Sequence, residues 1–396
     1  MERNRTLFSK IAYFCFYAGI VSEVLIVLVD KSAYINPIEG QLFRLTFFLF
    51  LIKVCLTKYS RKEYLLIFLF CVLGVISYFT TERNEVLRLV IMIAACKDID
   101  MKKCLKLVFY LTLAGCMVIM LLSLTGIMGT VALTQDYGRG SVETRYTLGM
   151  GHPNALHCMV WTLIVLHLYL YGEKMKWYHF LIPMGVNILF FQFTDSKTSM
   201  LVTTLTFLMA GLIVCSKSEL IKKLCVWAGY LAAVFSVGIS VVIAANAYRI
   251  HDYYWENDRT KPTMFFYKLN EILNGRILIL VENDGFEGTT GTWSLFSRPE
   301  NNYFFDLGWV RLFYWFGIIP ACVFLAALVL LMIYCYRKRD YMAAVMIVSI
   351  SVYTVIEAHV FSDYLARNYL FFLMGAYWYQ MLPANNKDKV STLHEG

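Results

Sequence analysis

The chain has 396 residues, of which 59% are hydrophobic and only 16% charged, with a mean hydropathy of +0.58 and a formal net charge of +8. So little charge cannot cover a water-facing surface, which excludes a soluble globular enzyme and makes lipid the solvent for much of the chain. The basic residues are dispersed among short loops and form no continuous stripe, which excludes a nucleic-acid-binding surface.

Apolar runs at 9–29, 41–57, 63–80, 84–96, 104–125, 153–171, 178–194, 198–215, 224–246, 304–334, 341–359 and 362–381 predict an all-α integral membrane protein of about twelve transmembrane helices. A run of about 20 apolar residues crosses a hydrocarbon core of roughly 30 Å. No small-residue cleavage site follows the first run, so it is expected to remain as an anchor. The fourth run is short and carries Arg88, yet losing it would invert everything downstream. Lysine and arginine clusters fall in every second loop: Arg3 with Arg5, Arg61 with Lys62, Lys102 with Lys103, Lys174 with Lys176, Lys222 with Lys223, and Arg337 with Lys338. Because short cytoplasmic loops retain cations, this alternation keeps the fourth span and places both termini in the cytoplasm.

Residues 1–396 read as a single membrane domain with a cytoplasmic tail at 382–396. The other cytoplasmic loops are too short for a nucleotide-binding domain. Two outer segments exceed a simple connection: 126–152, between spans five and six, and 247–303, between spans nine and ten. Long loops in compact domains are usually functional or disordered. The second is dense in aromatics (Tyr253, Tyr254, Trp255, Phe265, Phe266, Tyr267), and short helices are expected around 262–281. Such rings either stack on sugars or lie at the membrane interface. All eleven cysteines lie outside 247–303, so they are expected to pack between helices rather than to form disulfides.

Sorted by side, the inside carries 5 Arg and 15 Lys and the outside 11 Arg and 4 Lys, with Lys53 within a span. The outer arginines are Arg44, Arg83, Arg88, Arg139, Arg145, Arg249, Arg259, Arg276, Arg298, Arg311 and Arg367. Retention of cations in the cytoplasm does not explain a preference for arginine on the other side. A guanidinium fork pairs bidentately with phosphate, which suits a diphosphate or an acidic sugar. Pairing to acids such as Glu82, Glu85, Glu143, Asp252 and Glu256 is the plainer explanation.

The sharpest local pattern is RYTLGMGHPN, Arg145 to Asn154, leading into an apolar helix. Its glycines admit close backbone approach, Pro153 suits a first helical turn, and the helix N-terminus would face an anion near Arg145 and His152. Ordinary turn chemistry would produce the same pattern. Asp195 and Lys197 form a tight outer turn where a local salt bridge is expected, and His157 and His167 read as buried, hydrogen-bonded histidines. His359, Ser362 and Asp363 form a further polar group at the end of span eleven.

RYTLGMGHPN, together with LNGRILIL (Leu273 to Leu280) and ENNYFFDLGWVRLFYWFGIIP (300–320), resembles the Wzy-type repeat-unit polymerases of bacterial capsule and exopolysaccharide clusters. These are relatives of the O-antigen polymerase and ligase superfamily. The resemblance implies a glycosyltransferase C-like bundle working on the outer face of the bacterial cytoplasmic membrane, with no metal or other cofactor. It would move a glycan from undecaprenyl diphosphate onto the next lipid-linked repeat unit. A flippase and a chain-length regulator are the protein partners implied.

Mapped onto this chain, the resemblance gives Arg139, Arg145, Arg276, Arg298 and Arg311 the donor diphosphate, with Asn154 orienting it. Asn301 and Asn302 would bond sugar hydroxyls or cap the following helix. The general base is His152, Glu143 or Glu300. Asp30 and Glu39 in the first outer segment keep open the acidic first loop common among C-type transferases. A ligase of the same superfamily and a lipid-linked oligosaccharide flippase are the rival readings, although flippases and other carriers usually show two similar halves and this chain shows no internal repeat.

Overall fold

The computed structural model describes residues 2–136, 142–283, 285–358 and 361–382, with side chains from residue 7 onward. Apolar segments become helices here because lipid offers no hydrogen bonds to an open backbone. The chain runs through α1 (Glu2–Lys31), α2 (Glu39–Leu56), α3 (Arg61–Thr81), α4 (Glu85–Ala95) and α5 (Met101–Leu124) into an antiparallel hairpin, β1 (Ala132–Asp136) with β2 (Val142–Tyr146). It continues through α6 (Pro153–Tyr171), α7 (Leu181–Thr194), α8 (Lys197–Cys215) and α9 (Glu219–Asn246) to the short α10 (Tyr248–Tyr254) and α11 (Lys261–Ile272). It ends with α12 (Gly308–Phe316), α13 (Ile318–Lys338), α14 (Tyr341–Tyr353) and α15 (Tyr369–Met381).

Among the described residues, seven helices are long and apolar enough to cross a membrane: α1 from Leu7, α3, α5, α6 continued to Lys174, α8, α9 and α13. Local chemistry marks several starts. Ser60 and Glu63 form a reciprocal capping box on α3, Asp100 accepts from the amide of Lys103, and Asp340 accepts from that of Ala343.

The structure departs from the hydropathy reading in four places. The run at 304–334 is broken at Gly317 into α12 and α13. Gly317 has φ +95°, and a Cβ there would lie 2.6 Å from both Phe296 Cα and Ser297 N. Chain from 294–297 fills the break: the carbonyls of Ser294 and Leu295 accept from the amides of Ile318 and Ile319 at 2.9 and 3.0 Å. Second, α14 stops at Tyr353, so Glu357 stands outside the helix in a loop, and α15 begins only at Tyr369. Third, 178–194 divides into a 3-10 turn, Trp177–Phe180, and α7. Fourth, the glycine-rich segment after α5 is not a bare loop: Ala132 to Asp136 pair with Tyr146 to Val142, with strand-favouring Thr134 opposite Thr144. Of the short helices expected around 262–281, α11 ends at Ile272, and turns follow, with a 3-10 turn at Leu278–Leu280.

The core lies where α14 is enclosed by α6, α8, α9 and α15. In a medium without water its polar atoms pair with one another. Trp161 Nε1 donates to Ser349 Oγ at 3.0 Å, Ser349 bonds Thr206 at 2.7 Å, and Trp309 Nε1 donates to Ser236 Oγ at 3.1 Å. All eleven cysteines are free, and six are buried.

One face gathers the loops at 57–60 and 96–100: Lys97 pairs with Glu63 at 2.7 Å and Lys53 donates to Lys97 O at 3.0 Å. The opposite face carries the hairpin and 247–307 and is called the loop face below. At 11 residues, α4 is about 16 Å long, short of the roughly 30 Å of a hydrocarbon core.

Replacing Gly317 with alanine is expected to destabilise the fold by about 1–3 kcal/mol or more, because left-handed strain and a backbone clash add. Gly185, in α7 with open space around its Cα, is the control; its alanine variant should hold or gain about 0.5–1 kcal/mol. Thermal unfolding of both variants in detergent checks this.

Candidate active site

The loop face brings together six charged or titratable side chains from separate elements: Lys31 at the end of α1, Arg145 on β2, His152 before α6, Arg276 after α11, Asp306 before α12 and Glu357 after α14. The charges of Asp306, Arg145, Arg276 and Lys31 all act on the His152 ring, and those of Asp306, Arg276 and Lys31 act on Glu357.

Arg145 shares a strand face with Glu143, because side chains two apart on a strand point the same way. Its Nε donates to Glu143 Oε2 at 3.0 Å, its Nη2 reaches the same oxygen, and Asp195 lies 3.6 Å away. Asp195 therefore pairs across the fold to Arg145, where a local bridge to Lys197 was expected. The turn that follows β2 is held to the segment between α5 and β1: the Gly149 amide donates to Thr130 O at 2.9 Å. Gly149 has φ +85°, and a Cβ there would lie 2.9 Å from that of Ser123. This turn delivers His152 to the first turn of α6.

His152 is the N-cap of α6, with Nδ1 accepting the Asn154 amide at 3.2 Å. With that lone pair used, the neutral ring carries its proton on Nε2 and presents a donor. Burial lowers the imidazole below its ordinary value; Asp306 opposes, while Arg145, Arg276 and Lys31 reinforce.

Arg276 is placed by Asn270, a buried residue whose Oδ1 accepts the amides of Ile277 at 3.0 Å and Leu278 at 2.9 Å. Its Nη2 donates to Glu357 Oε1 at 2.9 Å and its Nη1 to Leu273 O at 3.3 Å. Its Nε stands 3.6 Å from Asp306 Oδ2 and, though buried, has no hydrogen-bond partner among the described residues. Burial pushes the Glu357 carboxyl up to about 7, with Asp306 reinforcing and Arg276 and Lys31 opposing.

Of the remaining residues singled out from sequence, Arg311 feels the charges of Asp306 and Glu357, and the other described ones have partners of their own or are exposed. Arg298, Glu300 and Asn302 are exposed on the segment before α12. Asn301 Nδ2 donates to Ser297 Oγ at 2.9 Å and to the carbonyls of Thr292 and Tyr314 at 3.3 Å, so it organises that segment. Arg311 is buried, donates to the carbonyls of Phe305 and Phe361, and stacks 3.8 Å over the Phe304 ring. Arg139 and His359 lie outside the described residues. His157 bonds Thr194 at 2.9 Å and Asn187 at 3.0 Å, as a buried histidine does. Asp30 and Glu39 both meet the Tyr364 hydroxyl, at 2.7 and 2.8 Å, and Asp30 also pairs with Arg367.

Six of the ten outer arginines among the described residues lie over aromatic rings: Arg83, Arg88, Arg249, Arg259, Arg311 and Arg367. Delocalised guanidinium stacks well and is less hydrated than ammonium, so this packing selects arginine over lysine without any ligand. The aromatics of 247–303 likewise pack on one another, Tyr253 on Tyr267 at 4.1 Å and His251 on Trp255 at 4.9 Å.

Two apolar clefts open on the flanks of the bundle. One of about 760 Å³ between α5, α6 and α7 reaches Met150, beside His152. Another of about 860 Å³, bounded by α3, α4, α12, α13 and α15, reaches Glu85 and Ser362.

Lys31, Asp306 and Glu357 were not singled out from sequence. Glu357 did carry a signal, an acid closing an apolar run, which marks a functional candidate in a membrane segment. No protein-family profile matches the chain, and neither a curated protein nor a solved structure shows significant similarity to it.

Arg276→Ala strands a buried carboxylate, so it is expected to cost on the order of 3–5 kcal/mol, much of it recovered in Arg276→Met/Glu357→Gln. The cost depends on pH. Without its cation, Glu357 is raised further above the unfolded carboxylate value of about 4.3. A carboxyl so raised binds its proton more tightly in the folded state, a contribution present at low pH and lost as pH climbs through the folded value. Melting in detergent should therefore show the gap between Arg276→Ala and wild type widening from about pH 5.5 to about pH 8.

Proposed function

We propose that the chain polymerises undecaprenyl-diphosphate-linked oligosaccharide repeat units into capsular or exopolysaccharide on the outer face of the bacterial cytoplasmic membrane. In this reading the chain crosses the membrane about twelve times with both termini in the cytoplasm, and the loop face is the outer face. The observation that carries it is the convergence of Arg145, His152 and Arg276, which lie on two of the stretches resembling repeat-unit polymerases, at one electrostatically coupled cluster.

The chemistry that suits this cluster is departure of a lipid diphosphate. Negative charge grows on the bridging oxygen as the sugar–oxygen bond breaks, and fixed cations stabilise it most when they need not reorganise. Arg276 brings a donor without a hydrogen-bond partner, Arg145 a fork now occupied by acids, and His152 an N–H. Both flanking clefts are apolar and suit polyisoprenoid chains, and the cleft beneath Met150 would keep a lipid tail in the bilayer while its diphosphate reaches His152.

Alanine at Arg145, Arg276 or His152 is expected to lower polymer formation in cells by about 10²–10³-fold, with single repeat units accumulating on the carrier lipid. Lysine at 276 keeps the charge and loses the fork, so it should recover only part of the activity. Polymer of normal length from all three alanine variants, present in the membrane at wild-type levels, would overturn the site. Carrier-linked units retained on the inner leaflet would indicate a flippase, and chains of normal length left unattached to a final acceptor would indicate a ligase.

A further inference from the structure

Resting on that polymerase reading, we infer that Glu357 is the general base that deprotonates the acceptor hydroxyl. Of the side chains available, Glu143 is committed to Arg145 through two nitrogens, Glu300 is exposed on the segment before α12, and Asp306 stands 3.6 Å from Arg276 Nε, where the diphosphate oxygen would bind. His152 spends its Nδ1 lone pair on the α6 amide and offers only an N–H. Glu357 is an acceptor, stands at the buried end of the cluster and touches the cation assigned to the leaving group.

The Arg276 guanidinium explains how one group serves two partners. Its Nη2 holds Glu357, while its Nε–H is buried and without a hydrogen-bond partner. A diphosphate oxygen arriving at Nε draws on the same cation, so Glu357 gives up part of its neutralisation and becomes a stronger proton acceptor when the donor is in place.

The step balances as a displacement. The acceptor O–H gives its proton to Glu357, and its oxygen electron pair forms the new bond to the anomeric carbon. The bond from that carbon to the diphosphate oxygen breaks, its electron pair leaving with undecaprenyl diphosphate on Arg276 and Arg145. Glu357 later returns the proton to water. The groups that face Glu357 and set its titration are Arg276, Asp306, Lys31, Arg311, Cys158 and Tyr353. Burial and Asp306 raise the carboxyl to about 7, where a base is half available at neutral pH.

The test uses the full-length protein in liposomes with lipid-diphosphate-linked repeat units, scoring polymer ladders against pH. Glu357→Gln should lose at least about 100-fold in kcat, with KM for the lipid-linked substrate within a few-fold. Glu357→Asp should retain part of the rate with a displaced acidic limb, and Asp306→Asn should move that limb to lower pH in whatever rate it retains. Binding of undecaprenyl diphosphate to Glu357→Gln at near wild-type affinity would show that the variant is folded and strengthen the assignment. If wild type makes ladders and a binding-competent Glu357→Gln keeps more than about a third of its rate, the base assignment is overturned and the polymerase reading stands. An unmoved acidic limb in both Glu357→Asp and Asp306→Asn also overturns the assignment. If wild type makes no ladder from intact lipid-linked units, the polymerase reading falls and takes the assignment with it.

Discussion

A carboxylate and a guanidinium at the boundary of an apolar medium are each costly alone and tolerable together, and the pair between Arg276 and Glu357 is where the fold meets that constraint most sharply. It joins the long segment after α9 to the end of α14, two parts of the chain 81 residues apart. Other features arrange themselves around it. Asn270 spends its carboxamide on fixing the turn that carries Arg276, and α14 stops at Tyr353, which leaves Glu357 in a loop. The break at Gly317 lets α12 lie with every side chain buried at the edge of the same cluster.

The same rule governs the neighbouring cations and changes what the arginine bias means. Arg88 is paired with Glu23 at 3.1 Å deep in the bundle and stacked on Phe43, and Arg367 is paired with Asp30 and stacked on Tyr364. These guanidiniums tie helix ends together. Most of the arginines expected on the outer side are therefore architectural, and among the described ones Arg145 and Arg276 act on the His152 ring. Both bond to acids in the absence of a ligand, so an anion binding there must compete with carboxylates.

Hydropathy located most of the helices because a membrane leaves the backbone few alternatives, and the caps at Ser60, Asp100 and Asp340 follow directly from residue type. Irregular backbone was harder to read. The break at Gly317 depends on residues 294–297 packing into it, and the early end of α14 depends on Glu357 finding Arg276; neither partner is local in the chain. The hairpin was hidden because its strands lie in a segment dominated by glycine and turn residues. At the site, Arg145, His152 and Arg276 were visible as motif residues near glycines. Asp306, within the 300–320 stretch, and Glu357, closing an apolar run, gain their meaning only from the cation that the fold sets beside them.

The hydrogen bond from Trp161 to Ser349 joins two helices 188 residues apart, and both lie at the centre of the core. During synthesis α6 emerges long before α14, so Trp161 must wait among lipids or interim neighbours with its N–H unmet. The cluster above it has the same dependence, reaching from Lys31 to Glu357. A nascent chain therefore holds no working fraction of this site: the bundle closes around its last large helices, and the site comes into existence in one late event rather than growing span by span.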